Sequence, residues 1–592
     1  MHSSQPPSVD TPDTEAEPLL PPPQAPGPTA ADGGSALTLG ALATLALTAC
    51  GGGGSSAPAP APAPAPAPGP GPTPPPPPPA PAPPVSAPAA ARFLAQATLG
   101  PNKADITALL ASNYAAWIEA QFALPHSQSH CDWLVANGYG AEANRNSATG
   151  LDNTVWRKLI ASPDALRQRV VLALSEICVV SVLGIDANWR QFAVANYLDI
   201  LEANAFGNYR TLLGQISTST AMGYYLTFRG NTKANPATGA VPDENYAREL
   251  MQLFTIGLVE LNADGTPRLV GGVPQETYDQ ADVSGMARVF TGWNLDSSGL
   301  TAPFPPDIQR RPMVQTAASH ESGSKVFLGT TIAANTNGVE SLRIALDVLF
   351  NHPNLPPFVG RQLIQRLVTS NPSPAYVGRV AAAFANNGAG VRGDMQATLR
   401  AILLDDEARS DTVAAGSAFG KLREPVVRFL NWARAFRATS TSGTFTIGDL
   451  SNPATRLGQS PMRSTSVFNF FRPGYVPPNS PIASQGLSGP EFQIITESSV
   501  AGYVNYMQTV VANGSGDVRG NYTDFLALAT DSAALLAEIN LVLASGQMSA
   551  ATLATLKTAL DSINAASDTG KRNRVYAATV LVLASPEYIT QK

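Results

Sequence analysis

The stretch PDENYARELMQLFTIG, residues 242–257, repeats its apolar side chains at the spacing of an α-helix. When successive residues are placed about 100° apart around an axis, one side of the helix is apolar and the other is polar. The apolar side carries Tyr246, Ala247, Leu250, Met251, Leu253 and Phe254. The polar side carries Glu244, Asn245, Arg248, Glu249 and Gln252. The stretch therefore predicts an amphipathic helix that buries one face.

The same helical period dominates the chain from about residue 88 to its end. Residues 113–125 predict a helix closed by Pro125, and its core-facing residues are Tyr114, Trp117, Ile118, Gln121 and Phe122. Further helices are predicted over residues 338–353, over 356–370 with Pro356 in the first turn, and over 391–409. In the last of these helices, one apolar face carries Met395, Leu399, Ile402 and Leu403.

Strand-like alternation is scarce and is limited to pieces such as residues 257–272, where Asp264 and Gly265 predict a hairpin turn. No repeat of solenoid length is present, and the composition does not change again along the body. We predict a mainly α fold, namely one large helical domain with few short β-hairpins. A helical carboxy-terminal lobe is a possible subdivision from about residue 513.

The amino-terminal segment has a different composition. Residues 1–35 are rich in Pro, Ala and acidic groups, which is typical of disorder. Residues 36–50, ALTLGALATLALTAC, form an uncharged run that is short for a bilayer span but fits an export signal. Residues 47–50 resemble the lipobox of bacterial lipoproteins, which predicts lipidation of Cys50. No Lys or Arg precedes Arg92, so the basic start of an ordinary signal is missing.

Residues 57–84 consist almost entirely of Ala-Pro and polyproline, which predicts an extended, semi-rigid polyproline II spacer. We therefore predict a disordered leader with a signal-like segment over residues 1–49, a Gly/Ala/Pro-rich tether over 50–87 and the helical domain over 88–592. This organisation predicts an exported cell-envelope protein that is anchored to a membrane through Cys50.

Charge and motifs exclude several function classes. The chain has 38 basic and 44 acidic residues, and setting aside the five acids in residues 1–35 leaves 39 acidic residues. The nearly neutral body gives no reason to expect a nucleic-acid partner, which usually needs a basic face. There is no phosphate-binding Gly-Lys-Ser/Thr loop, no Gly-x-Ser-x-Gly elbow and no dinucleotide fingerprint. Cys131 and Cys178 are compatible with a disulfide or with two buried thiols.

Seven segments of the body resemble signature segments of one bacterial family. They are AARFLAQATLGP (90–101), LRQRVVLALSEICVVS (166–181), PDENYARELMQLFTIGLVELNADGT (242–266), ARVFTGWN (287–294), HESGSKVFLG (320–329), RQLIQRLVTSNPSP (361–374) and SVFNFFRPGYVPPN (466–479). Over nearly all of residues 88–592 the chain resembles the domain of unknown function 1800 family. The resemblance implies an exported bacterial protein and leaves the reaction and any cofactor unknown.

The resemblance also implies a partner and a local difference. Members of this family are often encoded beside the domain of unknown function 1501 family, which is similar to the sulfatase and alkaline phosphatase superfamily. This implies an exported sulfatase-like partner. Many relatives carry a Trp-His-Asn-His-Phe-like segment where this chain has Leu174-Ser175-Glu176-Ile177-Cys178. We therefore do not expect a histidine-bound metal there.

Glu249 is the first candidate catalytic residue. It lies at the edge of the apolar face of residues 242–257, where partial loss of water raises a carboxyl pKa towards that of a general acid or base. Glu244 is a second catalytic candidate, and Arg248 and Asn245 are candidates for orienting a substrate. The alternative is an ordinary solvated face on which Glu244 and Arg248 form an ion pair worth about 0.2–0.5 kcal/mol.

His320 in HESGSKVFLG is a further catalytic candidate. Glu321 and Lys325 lie near it in sequence, and Gly323 allows a tight turn that would gather the three side chains. Lys325 is then an orienting residue. The alternative is an exposed turn before a buried strand.

The remaining histidines predict no metal site. His126, His130 and Cys131 lack a second ligand pair at zinc spacing, and the surrounding residues indicate a loop. His352 precedes a proline at the end of a predicted helix, which predicts a carboxy-terminal cap that interacts with the helix dipole.

Two aromatic segments are candidates for ligand binding. TGWN (291–294) supplies Trp293 and Asn294, and FNFFRPGY (468–475) supplies Arg472. Rings beside these polar groups predict a stacking platform for sugars or for a peptide, whereas the alternative is a Pro-Gly turn held by packed rings.

Two functional hypotheses follow. The first is an anchored hydrolase of an extracytoplasmic polymer such as a polysaccharide, although glycosidic chemistry needs two carboxylates from well-defined positions. The second is a non-catalytic binding or scaffolding lipoprotein that works with the sulfatase-like partner.

Overall fold

The computed structural model describes residues 85–592. The predicted leader, Cys50 and the tether as far as residue 84 lie outside the described residues. Within the described part, α-helices dominate and the strands pair only as two-stranded antiparallel ribbons. This confirms the predicted mainly α fold. None of the helices described is both long and apolar enough to cross a membrane.

Most helices in the first part of the domain start at polar caps. Asn102, for example, accepts a hydrogen bond from the amide of Asp105, whose side chain bonds back to the amide of Asn102. The helices are α1 (Ala87–Ala97), α2 (Lys103–Leu110), α3 (Tyr114–Ala123), α4 (His130–Ala136), α5 (Leu151–Ala161), α6 (Ala165–Ile177), α7 (Arg190–Asn204), α8 (Tyr209–Ser217) and α9 (Thr220–Tyr225). Helix α3 confirms the helix predicted there, with Ile118 buried and Trp117 half-buried against the core.

Helix α6 is the centre of this packing. Every residue from Ala165 to Ile177 is buried, and the helix contacts α3, α5 and α7. Its charged residues Arg169 and Glu176 are therefore held inside the core rather than on a wet face. A helix that is buried all round needs internal partners for such groups.

The opening stretch folds as α10 (Asn245–Glu249), which continues as a π-helical turn over Leu250–Thr255. The predicted helix is thus present, but its second half is wider than an α-helix because the amide of Ile256 donates to the carbonyl of Met251, five residues back, at 2.9 Å. The predicted apolar face is buried through Tyr246, Leu250 and Phe254.

Short ribbons follow this turn. The strands are β1 (Leu269–Val270) paired with β2 (Val273–Pro274), β3 (Trp293–Asn294) with β4 (Val314–Gln315), and β5 (Lys325–Phe327) with β6 (Thr330–Ile332). Helix α11 (Gln280–Ala287) lies between β2 and β3 in the chain. Asp264 and Gly265 form the predicted turn, but the first ribbon closes at Gly271 and Gly272 instead.

The next helices confirm the three predicted from periodicity. They are α12 (Gly338–Asn351), α13 (Leu355–Leu367), α14 (Pro374–Ala385), α15 (Met395–Leu403), α16 (Asp406–Arg409), α17 (Asp411–Ala414), α18 (Pro425–Ala435) and α19 (Pro481–Ser484). The predicted apolar face of α15 is buried as expected. His352 caps α12, but burial lowers its pKa, so the neutral ring does not supply the expected charge to the dipole.

The carboxy-terminal residues return to the body. The helices are α20 (Glu497–Asn513), α21 (Thr523–Leu526), α22 (Ser532–Ala544), α23 (Ala550–Asp561), α24 (Asp568–Leu583) and α25 (Pro586–Ile589). Strand β7 (Lys421–Leu422) pairs with β10 (Thr590–Gln591), and β8 (Thr439–Ser440) pairs with β9 (Val518–Arg519). Helix α22 also contacts α1 and α18, so the last helices share their packing with the first.

Candidate functional site

Glu249 lies at the junction between α10 and the π-helical turn. Its residue exposure is 8%, and its Oε2 atom is buried without a hydrogen-bond partner. Burial raises the carboxyl pKa, and the guanidinium of Arg248 only partly opposes this effect. The nearby phenols of Tyr225 and Tyr278 also have raised pKa values because of burial, and Tyr278 reaches about 12. The position is thus the partly desolvated edge that the helical pattern predicts.

Glu244 and Arg248 form the surface ion pair that was the alternative to a catalytic role. Their side chains meet at 3.1 Å, and both are roughly one-third exposed. The hydroxyl of Ser284 donates to Glu244 at 2.6 Å, and this bond is the main reason that the carboxyl pKa is lowered. A carboxyl held ionised in this way is a poor general acid. Asn245 makes a long 3.4 Å contact from its side-chain amide to Thr227.

His320 is a buried, neutral residue. Its Nδ1 atom lies 2.9 Å from the carbonyl oxygen of Thr291, and burial lowers the imidazole pKa. Glu321 and Lys325 are its charged neighbours, so the predicted grouping of these three residues exists. Lys325, however, is fully buried at the start of β5, and burial lowers its ammonium pKa. The side chains of His320 and Lys325 are thus buried, whereas the turn between them is exposed at Ser322 and Ser324.

The predicted acid and base are held by different surroundings. The charge acting on Glu249 is that of Arg248, whereas the charges acting on His320 are those of Lys325 and Glu321. No hydrogen bond or ion pair among the described residues joins Glu249 to His320. Their joint action as acid and base stays a prediction.

The three residues of the predicted stacking platform, Trp293, Asn294 and Arg472, also have different surroundings. Trp293 is buried in β3, and its indole nitrogen has no hydrogen-bond partner among the described residues. Asn294 is exposed and accepts a hydrogen bond from Arg229 at 3.2 Å. Arg472 lies elsewhere, with its guanidinium 4.8 Å from the centre of the Phe468 ring.

A cavity with a volume of about 670 Å³ lies beside the π-helical turn. We call it the arginine cavity. Three segments line it, and its residues are Gln252, Leu253, Gly257, Leu258, Val259, Leu261, Gly265, Phe358, Arg361, Gln362, Gln365, Phe468, Arg472, Pro473, Gly474, Tyr475 and Val476. Its volume is within the range of about 300–1,000 Å³ that is usual for small-ligand sites. Glu249 is not part of its lining.

Local geometry explains why these segments approach each other so closely. Gly257 has φ +71°, and a Cβ atom there would lie 2.6 Å from the ring of Phe358. The side-chain amide of Gln362 on α13 donates to the carbonyl oxygen of Leu253 at 3.2 Å, which ties α13 to the π-helical turn. The loop over residues 468–476 then covers one side of the cavity.

Two guanidinium groups face this cavity, and none of its lining residues is acidic. Arg361 is exposed on the cavity side of α13 and has no hydrogen-bond or ion-pair partner among the described residues. Neighbouring protein atoms nevertheless displace part of its hydration, which lowers its pKa. The rings of Phe358, Phe468 and Tyr475 complete a wall that combines apolar surface with positive charge.

The residues that line the arginine cavity all fall within a match to a known protein family. The family model described as Protein of unknown function (DUF1800) matches residues 92–590. The chain belongs to the DUF1800 family. This confirms the resemblance inferred from the seven segments. Neither the search of curated proteins nor that of solved structures gave a match.

This DUF1800 chain also contains a buried charge network that the sequence patterns did not indicate. The network consists of Arg169, Glu176, Arg366, Lys421, Glu424 and Glu491, all of them almost completely buried. Lys421 Nζ lies 2.8 Å from Glu491 Oε1 and 3.7 Å from Glu424 Oε1. Glu176 and Glu424 form a carboxyl pair within it.

The two carboxyl groups of this pair have different protonation preferences. Burial and the neighbouring Glu424 raise the pKa of Glu176 well above its usual value. Burial also opposes ionisation of Glu424, but Lys421 and the hydrogen bond from Gln459 at 2.8 Å bring its pKa below the usual value. The surroundings therefore favour protonation of Glu176 and ionisation of Glu424. Its cavity holds only about 10 Å³, which leaves no room for a substrate.

The two residues could not be paired from sequence because they come from distant segments. Glu176 stands on α6 within the segment that differs from the Trp-His-Asn-His-Phe-like pattern of many DUF1800 relatives, and Glu424 immediately precedes α18. The available signal was a carboxyl group close after the apolar run 170–174 of α6. Such a charge has to find a partner in the core.

A second buried cluster surrounds His130. Ligand atoms of His130, Asp199 and Glu202 lie within 4.8 Å of one another, which is close enough to hold a metal ion. Both oxygens of Glu202 instead accept bonds from Lys158, at 2.7 and 2.8 Å. Asp199 accepts from the amide of His130 at 2.7 Å and so caps α4. The ammonium of Lys158 thus supplies a positive charge to Glu202.

The structure also shows the burial of Cys131 and Cys178 and the exposure of His126. Cys131 and Cys178 are separate buried thiols, so the disulfide alternative is wrong. Burial raises the pKa of both thiols. His126 is exposed and does not join the cluster around His130.

Proposed function

We propose that this DUF1800 member is an exported cell-envelope protein that binds a polysaccharide segment in the arginine cavity without cleaving it. The observation that carries the proposal is the lining of the cavity. It presents three aromatic rings, three glutamine side chains and two guanidinium groups, and it contains no carboxylate. Rings and amide groups are suited to holding a sugar, whereas hydrolysis of a glycosidic bond uses a pair of carboxyl groups.

The positions of the predicted catalytic residues support binding over cleavage. Glu249 is buried outside the cavity lining, and Glu244 is kept ionised by its hydrogen bonds on the helix surface. The Nδ1 atom of His320 is already in hydrogen-bond contact with the carbonyl oxygen of Thr291. A site for acid-base catalysis would need these groups to face one substrate.

Hydrolysis of an extracytoplasmic polymer is the second candidate, and one observation favours it. Glu249 combines a raised pKa with a carboxyl oxygen that has no partner, as expected for a general acid that acts near neutral pH. If Glu249 is that acid, Glu249→Gln abolishes turnover in a screen of envelope and extracellular polymers. Equal turnover by wild type and variant would remove this role.

The proposal also includes a membrane anchor at Cys50 and an exported partner enzyme. The lipobox-like residues 47–50 and the proline-rich tether support attachment through Cys50, and the family resemblance supports an exported sulfatase-like partner. A binding protein tethered in this way would hold polysaccharide near the membrane for the partner enzyme. Cys50→Ser is expected to release the protein from membranes and to abolish labelling by a lipid precursor, and unchanged retention would refute the anchor.

Calorimetric titration of the full-length protein with soluble polysaccharides tests the binding proposal. We expect measurable binding and a roughly threefold to tenfold loss of affinity in Phe468→Ala, which removes a ring from the cavity wall. Phe492→Ala is the matched control, because Phe492 is 37% exposed and lies outside the arginine cavity. Absence of binding by every polysaccharide, or equal losses in both variants, would contradict the proposal.

A further inference from the structure

We infer that the arginine cavity selects an acidic polysaccharide, whose carboxylate or sulfate groups pair with Arg361 and Arg472. The inference rests on the proposed function and adds the charge of the ligand. An uncharged sugar chain would leave both guanidinium groups without a counter-ion in the complex. An acidic chain supplies that charge from the ligand itself.

The lack of internal partners sets these two arginines apart from others in the domain. Arg463, for comparison, forms a two-point pair with Asp152 at 2.8 and 2.9 Å, and Arg379 forms one with Asp405 at 2.7 and 2.8 Å. No described acidic side chain pairs with Arg361 or Arg472. Their donors are therefore available to a bound anion.

The surroundings make an anion more favourable than it would be at an ordinary exposed arginine. The cavity wall is mainly apolar, and it has already displaced part of the water around Arg361. A hydrogen-bonded ion pair is stronger where water is excluded, because the local dielectric is lower. The absence of acidic lining residues also removes the repulsion that an anionic ligand would otherwise meet.

The orientation of Arg472 fits recognition of a sugar acid. Its guanidinium carbon lies over the Phe468 ring, 4.8 Å from the ring centre. The N–H bonds of a guanidinium lie in its plane and stay free to bind a carboxylate or sulfate with two parallel hydrogen bonds. The neighbouring Tyr475 then offers a flat surface to the sugar ring.

Binding of four polymers to the full-length protein tests the inference. Polygalacturonate and dextran sulfate supply the two kinds of anion, and fully methyl-esterified polygalacturonate and dextran are their neutral counterparts. We expect at least one acidic polymer to bind about tenfold or more tightly than its neutral counterpart, because hydrogen bonds to charged groups have this strength. Whichever acidic polymer binds identifies the anionic group.

Single variants then locate the effect. Arg361→Gln and Arg472→Gln are each expected to weaken binding of the acidic polymer about tenfold while leaving thermal unfolding unchanged. Arg572→Gln removes the same charge from an exposed position on α24, outside the cavity, and is expected to bind like the wild type. The charge effect should shrink in high salt.

The outcomes separate the two proposals. If a neutral polymer binds as tightly as its acidic form, or if both cavity variants bind like Arg572→Gln, selection for an acidic polymer is overturned while polysaccharide binding stands. If none of the four polymers binds, both proposals are overturned. A tenfold loss confined to Arg361→Gln and Arg472→Gln supports the inference.

Discussion

The ammonium of Lys421 lies 2.8 Å from a carboxylate oxygen of Glu491, and both side chains are almost completely buried. Lys421 also donates to the carbonyl oxygen of Arg366 at 2.9 Å and lies 3.7 Å from Glu424. One cation thus lies beside two buried carboxylates, Glu491 and, just before α18, Glu424. Removing it leaves negative charges in a region that water does not reach.

Lys421→Met is therefore expected to lower the free energy of unfolding by about 3–5 kcal/mol, the usual cost of breaking a buried ion pair from one side. Urea unfolding followed by circular dichroism measures this change. Lys557→Met is the control, since Lys557 and Asp561 form a half-exposed pair on α23 whose loss should cost less than about 1 kcal/mol. Equal losses in both variants would contradict the role assigned to Lys421.

Glu176 is expected to make stability depend on pH. Its folded-state pKa is raised, so the folded protein keeps a proton that the unfolded chain releases above about pH 4.3. The stabilisation from this proton is fully present below that pH and is lost as the pH rises towards the folded-state pKa. Relative to Glu176→Gln, wild-type unfolding free energy should fall by up to about 1.4 kcal/mol per pH unit above pH 5. Parallel curves for the two proteins would refute a protonated Glu176.

Glu249→Gln is expected to stabilise the protein at neutral pH. The buried carboxyl has a raised pKa and an oxygen without a partner, so its ionisation above about pH 4.3 costs folding free energy. The variant should be more stable than the wild type by up to about 1 kcal/mol at pH 7.5 and nearly equal to it at pH 4, as measured by thermal unfolding. A loss of stability at pH 7.5 would mean that the carboxylate has a stabilising partner.

Gly257→Ala is expected to disturb the wall of the arginine cavity. The new Cβ atom would meet the ring of Phe358 at 2.6 Å, in addition to the strain of about 1–2 kcal/mol at a positive φ of +71°. Gly271→Ala is the matched control, because Gly271 has φ +59° with nothing near its Cβ position. We expect a larger drop in unfolding free energy for Gly257→Ala and weaker polysaccharide binding in that variant alone. Equal effects would mean that close packing on Phe358 is unimportant.

Much of the secondary structure was predictable because it depends on local patterns. The apolar face of α15, from Met395 to Leu403, and the proline in the first turn of α13 both follow from spacing along the chain. The partial burial and raised pKa of Glu249 were also predictable, since a residue at the edge of an apolar face loses part of its hydration. The π-helical turn after Glu249 was not predicted, because helical period does not distinguish it from an α-helix of similar length.

The candidate site was much less predictable. His320 is a residue that can act near neutral pH, but its role depends on Thr291, whose carbonyl oxygen holds the ring in the core. Arg472 was a binding candidate, whereas Arg361 belonged to a predicted helix and carried no signal of its own. Whether an arginine is paired or free depends on acidic residues that can come from anywhere in the chain.

The sequence by itself determined the helical class, the family and several helix positions of this DUF1800 chain, because periodicity, caps and characteristic segments are local properties. The tertiary structure decided which polar groups meet. It placed Glu176 near Glu424 and left Arg361 and Arg472 facing a common cavity that Glu249 does not line. The physical reason is that burial and charge pairing act through space, between segments whose separation along the chain does not fix their distance in the fold.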